Sequence, residues 1–413
     1  MDDDLGGHHG SIPGTVKTVS IILLACMFLI DTPGPICAQA WELNLPVPNS
    51  DLQWEKARTL YADHYGGKNL TELIATLTPL KEKYPDKIEP YLWLARVHYL
   101  HARYIRSDRK EHYAKSEQYA AQACRMDPKN ILAIRLLTET LGYSRERSYI
   151  FNTYGELIKS FAPLPAMEAL PPLPNHALWG AFKPLWEARV DITKAQEAAA
   201  IMERMARDYP KDALVQTWAA RAVFSVGEYY TSTGEHDARG VPYYKKGIAY
   251  AAKARKLQPN SVPANYWYQI NLARSIQFTS LLNQARYLMD LFNPLIFCSC
   301  ENSTYYFSGP IVTLGTMITN AGWVAEKGMR LANITLAMDM NGLEMMEILY
   351  PDYYYIPYLR ADIMSYKGNK KEAKAILEKL LTRNPNVNPL IPENHNFIRM
   401  ARTLYHDIQN GKR

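Results

Sequence analysis

Six prolines close apolar helical stretches along the chain, and their spacing constrains the fold more than any other feature. They stand in Glu82-Lys83-Tyr84-Pro85-Asp86, Met126-Asp127-Pro128-Lys129-Asn130, Asp208-Tyr209-Pro210-Lys211-Asp212, Leu257-Gln258-Pro259-Asn260, Leu349-Tyr350-Pro351-Asp352 and Arg383-Asn384-Pro385-Asn386. A proline just past a helix end stops the helix, because it has no N–H to donate and disfavours helical geometry in the residue before it. Pro351 and Pro385 are 34 positions apart, the tetratricopeptide period, while Pro85 to Pro128 spans 43 and Pro210 to Pro259 spans 49.

The stretches between these prolines carry helical periodicity. Before Pro385, Ala373, Ile376, Leu377, Leu380 and Leu381 fall on one face of a helix with 3.6 residues per turn. Small residues recur where paired helices must approach closely: Ser116, Ala120 and Ala123, then Gly247, Ala251 and Ala254. First helices of the units are marked by Trp93, Leu94, Ala95 and Tyr99, and by Trp218, Ala219 and Tyr229. Tyr350-Pro351-Asp352 with Pro357-Tyr358-Leu359 echoes Tyr84-Pro85-Asp86 with Pro90-Tyr91-Leu92, as a duplication would leave it. No run of alternating β-branched residues argues for a sheet. The expectation is an all-α, tetratricopeptide-like solenoid, in which each helix pair buries its apolar face against the next.

At 413 residues the chain is long enough for one long solenoid or two packed halves. Two stretches interrupt the array. Phe161 to Pro174 holds Pro163, Pro165, Pro171, Pro172 and Pro174, and a joint over 161–175 is expected between N-terminal repeats over 41–160 and C-terminal repeats over 176–413. Cys298 to Pro310, rich in Asn, Ser and Tyr and without period, reads as a loop inserted in the solenoid.

The first forty residues read as a leader. Lys17 precedes an apolar run from Val19 to Ile30, too short to span a bilayer; Pro33, Gly34 and Pro35 follow, then Ala38-Gln39-Ala40, an A-x-A cleavage pattern. Cleavage before Trp41 and export to the periplasm are expected. The alternative is a lipid anchor on Cys26, after Leu23-Leu24-Ala25. Three cysteines then remain, Cys124, Cys298 and Cys300, and an odd count leaves at least one free thiol or an intermolecular bond. Cys298-Ser299-Cys300 lacks CxxC spacing and nearby Cys or His partners, so two buried or loop thiols are expected, with no metal.

Catalytic patterns are absent from the sequence: no G-x-S-x-G, H-E-x-x-H, G-x-x-x-x-G-K-[ST] or G-x-G-x-x-G after a strand. His98 and His101 share a helix face without a carboxylate at zinc spacing, which reads as a solvated or capped pair. Glu344 and Glu347 read as a surface stripe. The mildly basic balance, net charge +6, comes without a Lys/Arg stripe and argues against a nucleic-acid partner. A binding protein with no cofactor is therefore expected, rather than an enzyme.

From about Asn265 to the end, Tyr306-Phe307-Ser308-Gly309-Pro310, Leu314-Gly315, Tyr350-Pro351 and Ile391-Pro392-Glu393-Asn394 stand in an order that resembles the periplasmic T component of TRAP-type transporters. Tyr306-Phe307-Ser308-Gly309-Pro310 and Leu314-Gly315 form an aromatic-Ser-Gly-Pro turn opening a helix. Tyr350-Pro351, the 34-residue unit through Gly368-Asn369-Lys370-Lys371-Glu372-Ala373, and the closing Ile391-Pro392-Glu393-Asn394 follow in the family's order. The resemblance covers about a third of the chain. It implies a helical-repeat accessory that associates with the extracytoplasmic substrate-binding protein of a transporter and carries a cavity suited to an apolar or amphipathic organic ligand. A general tetratricopeptide scaffold for another envelope protein is the alternative, and association between copies of the chain stays open.

Tyrosine is over-represented, at 29 residues, and its clusters fall in the C-terminal half. Tyrosine suits a half-wet groove because it offers apolar area and one hydroxyl. The residues expected to line a ligand site are Tyr305, Tyr306, Tyr354, Tyr266, Trp267 and Tyr230. The competing reading is that these rings fill the gaps between helices.

Overall fold

A computed structural model describes residues 45–46, 52–105, 107–161, 163, 170–231, 238–331 and 336–412. The expected leader over 1–40, with Cys26 and the Ala38-Gln39-Ala40 pattern, lies outside the described residues, as do 162 and 164–169 of the Pro-rich joint. Among the described residues there is no strand, and no helix is long and apolar enough to cross a membrane.

Local chemistry sets the helices. Asp191 accepts from the backbone N–H groups of Thr193 and Lys194, capping a helix over Ile192–Asp208. Its Ala195, Ala198, Ala199, Met202, Met205 and Ala206 are buried at three- and four-residue steps, and Tyr209-Pro210 ends it. Asn130 and Ser261 cap two further helices by accepting from the backbone N–H groups of Ala133 and Ala264, and Pro85, Pro128, Pro259 and Pro351 each stand two residues past a helix end.

Six helices form a first array: α1 Leu52–Ala62, α2 Leu70–Lys83, α3 Glu89–Tyr104, α4 Arg109–Met126, α5 Ile131–Ser144 and α6 Arg147–Lys159. Five form a second: α7 Trp179–Glu187, α8 Ile192–Asp208, α9 Ala213–Thr231, α10 Val241–Leu257 and α11 Val262–Ile276. The chain continues through α12 Leu281–Arg286, α13 Leu288–Glu301, α14 Tyr305–Leu331, α15 Leu336–Leu349, α16 Tyr355–Tyr366, α17 Lys370–Leu381 and α18 Asn394–Gln409. From α1 to α5 of the first array and throughout the second, each helix packs against its neighbours in sequence, which makes the molecule an all-α helical-repeat solenoid of tetratricopeptide type.

The last third does not simply lengthen the row. Helix α15 packs on α5, α13 packs on both α11 and α3, and α14 packs on α11, α15 and α16. One core accordingly joins Leu92 to Phe161 of the first array with Phe307 to Ile391, while another runs from Leu170 to Tyr305. Of the Pro-rich stretch, Phe161 belongs to the former core, and Leu170 and Leu173 belong to the latter.

The inserted loop expected from Cys298 to Pro310 is not one. Helix α13 runs to Glu301, α14 starts at Tyr305, and the link is three residues long. Residues 298–305 are all buried. The polar run looks loop-like in sequence because its partners are far away in the chain. Arg103 Nη2 donates to Ser299 Oγ (2.8 Å), Tyr99 Oη to the Ser299 carbonyl (3.1 Å) and Arg135 Nη2 to Asn302 Oδ1 (2.5 Å).

Candidate functional site: two related aromatic and arginine cups

The two arrays are copies of one another. Trp54, Tyr61, His64, Tyr84-Pro85, Trp93, Arg96 and Tyr99 correspond, at a constant spacing of 125 residues, to Trp179, Trp186, Arg189, Tyr209-Pro210, Trp218, Arg221 and Phe224. Geometry repeats with sequence. Trp93 Nε1 donates to the carbonyl of Pro46 (3.0 Å) and Trp218 Nε1 to that of Pro171 (2.7 Å), 47 residues upstream in each case. Each array therefore buries an arginine at the corresponding place, Arg96 in the first and Arg221 in the second.

In the first cup the arginine holds the end of α13. Arg96 Nη2 donates to Glu301 Oε2 (3.1 Å) and to the Glu301 carbonyl (2.7 Å), and Nη1 donates to the Cys300 carbonyl (3.1 Å). Tyr61 accepts from Arg96 Nε at 3.2 Å, His64 Nε2 lies 2.9 Å from Glu301 Oε2, and Tyr104 donates to Oε1. Burial pushes the Glu301 carboxyl upward, but His64, Arg96 and Tyr104 outweigh it and hold the group below the usual carboxylate range. A buried carboxylate is tolerated only when hydrogen bonds and opposite charge surround it, as here.

The second cup is aromatic. The Arg221 guanidinium carbon lies 4.8 Å from the ring centre of Trp186, 5.2 Å from Trp218, 5.4 Å from Trp267 and 5.1 Å from Tyr306. Arg189 stacks on Trp186 as well (4.3 Å) and forms a two-pronged pair with Glu393, at 2.8 Å and 3.2 Å. Trp267 Nε1 donates to the Tyr305 hydroxyl (3.1 Å), and Tyr266 meets Tyr305 edge to face at 5.3 Å. Burial pushes the hydroxyls of Tyr266, Tyr305 and Tyr306 upward, with Arg221 opposing it at Tyr305 and Tyr306, so all three stay protonated at neutral pH. Hydrogen bonding, ring contact and charge recognition are what such a cup can supply.

The wall at Tyr306 is strained. Tyr306, Phe307 and Ser308 have φ of 46°, 52° and 63°, a left-handed turn at the start of α14. Each non-glycine residue there costs roughly 1–2 kcal/mol. Next to it, Gly309 is required by packing, since a Cβ would lie 2.5 Å from the Tyr266 ring. Of the other family-like motif, Glu393 pairs with Arg189, and Asn394 accepts from the Tyr354 N–H (3.1 Å) and donates to the Asp352 carbonyl (2.8 Å).

The six residues singled out for ligand contact thus divide. Tyr266, Trp267, Tyr305 and Tyr306 meet around Arg221, and Tyr306, half-buried, is the most open of the four. Tyr354 sits elsewhere, buried in the α16–α18 core with its hydroxyl on the Asn384 carbonyl (2.7 Å). Tyr230 stacks on Tyr243 (6.0 Å) and accepts from Gln196 Nε2 (3.1 Å), apart from the cup. Arg221, Arg189 and Trp186 were missed; the 125-residue spacing of the Trp-Arg pairs was the available signal.

Two further expectations are corrected. His98 and His101 are buried rather than solvated, because His112 of α4 closes over them: His98 Nδ1 lies 3.0 Å from His112 Nδ1, and His101 stacks on His112 at 3.6 Å. Glu344 and Glu347 form a half-buried ion network instead of a surface stripe. Glu344 pairs with Arg147 and Glu347 with Arg360 and Arg383, cations that folding brings from other helices and from the turn after α17. Cys124, Cys298 and Cys300 are free and buried. Among the described residues, no group of three or more His, Cys, Asp or Glu side chains is placed to hold a metal ion.

No protein-family model and no curated protein matches the sequence. Among solved structures, the human IFIT1 dimer with m7Gppp-AAAA is similar at 14% identity, over 88% of this chain and 76% of that one, with a TM-score of 0.30. The TPR domain of P58(IPK) is similar at 12% identity, over 86% and 98%, with a TM-score of 0.19. Yeast Tom70 is similar at 12% identity, over 83% and 86%, with a TM-score of 0.17. At such identities and scores these likenesses say nothing of ligands, and the helical-repeat class stands on the helix pairing itself.

Proposed function

We propose that the chain is an exported, non-catalytic helical-repeat accessory that binds an organic ligand at the aromatic cup of the second array. Its partner in this reading is the extracytoplasmic substrate-binding protein of a TRAP-type uptake system. The observation that carries the ligand site is the meeting of Arg221 with Trp186, Trp218, Trp267 and Tyr306 beside a left-handed turn. Strain of that kind persists only where the surroundings over-determine it, and it gathers at binding sites and clamps. Export is supported by the apolar run and Ala38-Gln39-Ala40, and the TRAP association by the order of motifs from Tyr306 to Asn394.

Titrating the mature chain with an anionic aromatic fluorophore such as a naphthalene sulfonate tests the cup. Tyr306→Leu and Arg221→Lys should weaken binding by about tenfold, or ~1.4 kcal/mol, with the fold intact. Unchanged binding in both folded variants would sink the site. A tagged mature chain should also recover a TRAP substrate-binding protein from envelope extract. Recovery of a different envelope assembly would favour the general scaffold instead.

A further inference from the structure

Another polar site lies in the first array, on the face of α5 turned towards α3 and the link between α13 and α14. Arg135, Glu139 and Tyr143 recur every four residues and share that face. At one end Arg135 reaches Asn302. At the other, the Arg103 guanidinium lies 4.2 Å over the Tyr143 ring while its Nη2 holds Ser299. Glu139 sits between them, 1% exposed, and its charge acts on Arg96 and Tyr99 of α3 and on Tyr350.

Several polar atoms here lack a hydrogen-bond partner: both Glu139 oxygens, Nε of Arg103, Nε of Arg135, and the hydroxyl of fully buried Ser303. Arg135 and Glu139 are one helical turn apart, the separation at which opposite charges ordinarily pair, yet Arg135 is turned to Asn302. Arg96 is the cation on which Glu139 acts, but a buried carboxylate whose oxygens accept no hydrogen bond remains strongly disfavoured. The orphan groups comprise acceptors of one sign and donors of the other. Three guanidinium groups, on Arg96, Arg103 and Arg135, and two carboxylates, Glu139 and Glu301, gather in this region; Arg96 meets both carboxylates, while Arg103 and Arg135 hydrogen-bond to Ser299 and Asn302.

We propose that this face binds a small acidic α-amino acid, its ammonium on Glu139 and its carboxylates on Arg135 and Arg103, with Ser303 as a further contact. The ammonium supplies the donors that Glu139 lacks. The two carboxylates supply acceptors for the two Nε groups and offset the extra guanidinium charge. This site is separate from the aromatic cup and does not depend on it.

Calorimetry on the dialysed, full mature chain tests it with L-glutamate and L-aspartate as probes. Glutarate serves as the control without an ammonium and L-alanine as the control without a second carboxylate. Saturable binding of the acidic amino acids is expected, weaker by about tenfold or more for both controls. Glu139→Gln should abolish it. Because that substitution acts in the core, Arg135→Gln, at a half-buried position, provides an independent loss of binding, and Tyr306→Leu should leave binding unchanged. The proposal is overturned if neither acidic amino acid gives saturable heat, which would mean ordered water only. It is overturned equally if glutarate binds as well as glutamate, or if the folded Arg135→Gln chain binds like the parent.

Discussion

Ser308 ends the left-handed turn at φ 63°, fully buried, and its hydroxyl has no hydrogen-bond partner. Ser308→Gly removes both burdens, since glycine accepts positive φ freely, at the expense of a more flexible unfolded chain. The expected result is a gain of about 1 kcal/mol in urea unfolding, from relief of strain worth roughly 1–2 kcal/mol. A loss would mean that contacts of the serine side chain hold the turn. Tyr354 should behave in the opposite way. It is 3% exposed and bonded to the Asn384 carbonyl, so Tyr354→Ala should cost roughly 3–5 kcal/mol. Binding per folded molecule should not change, and a selective loss of ligand would return Tyr354 to the site. At His98, burial and the neighbouring His112, Lys115 and His101 push the ring down to about 3. The folded chain therefore keeps it neutral while the unfolded chain, with a pKa near ~6.5, takes up a proton. Stability should be full above about pH 6.5 and fall as the pH drops towards 3. A melting temperature unaffected between pH 7 and pH 4 would contradict the buried histidine cluster.

Helix against helix, the two arrays solve one packing problem in two ways. In the first, Ser116 of α4 donates to the Ala95 carbonyl of α3 and meets Thr140 of α5, both at 2.8 Å. In the second, Asn271 of α11 reaches the equivalent Ala220 carbonyl of α9 (3.4 Å) from the other side. From α10 onward the spacing between the arrays is 131, as from Pro128 to Pro259, and α10 has Gly247 where α4 has Ser116, because a Cβ on Gly247 would lie 2.0 Å from Asn271 Oδ1. Gly247→Ala should destabilise by about 1–3 kcal/mol through overpacking. Gly247→Ser together with Asn271→Thr copies the first array and should recover most of that loss. Thermal unfolding of Gly247→Ser, of Asn271→Thr and of the double variant gives the coupling directly. Additive losses would show that the two triads are not interchangeable. The small residues at 116, 120 and 123 and at 247, 251 and 254 were readable from sequence as close-approach positions. Which partner each one faces was not, because the partner lies one helix away and its rotamer is set by the crossing.

Across the whole molecule, Glu301 ties the end of α13 into the first array through Arg96, His64 and Tyr104, 197 to 237 residues away in sequence. Removing one member of a buried ion network leaves the others uncompensated, so Glu301→Ala should cost roughly 3–5 kcal/mol. The loss should appear first as faster amide exchange in α1 to α3 and α13 together. An unchanged midpoint, or exchange confined to α13, would show that the two parts are not coupled through this carboxylate.

The helix stops at Pro85, Pro128, Pro210, Pro259, Pro351 and Pro385, and the stripe from Ala373 to Leu381, are local facts. Proline chemistry and a 3.6-residue period act within one or two turns, and so the all-α repeat class was legible without coordinates. The gathering of Tyr266, Trp267, Tyr305 and Tyr306 was partly legible as aromatic clusters, but their meeting around Arg221 was not. Nor could Ser299 to Thr304 be known as a buried span rather than a loop. A polar side chain is buried or solvated according to its partner, and here the partners are Arg96, Arg103 and Arg135, brought near by the return of α13 to α3. Periodicity reports which face of a helix is buried. Only the tertiary fold decides which distant charge or ring that face will meet.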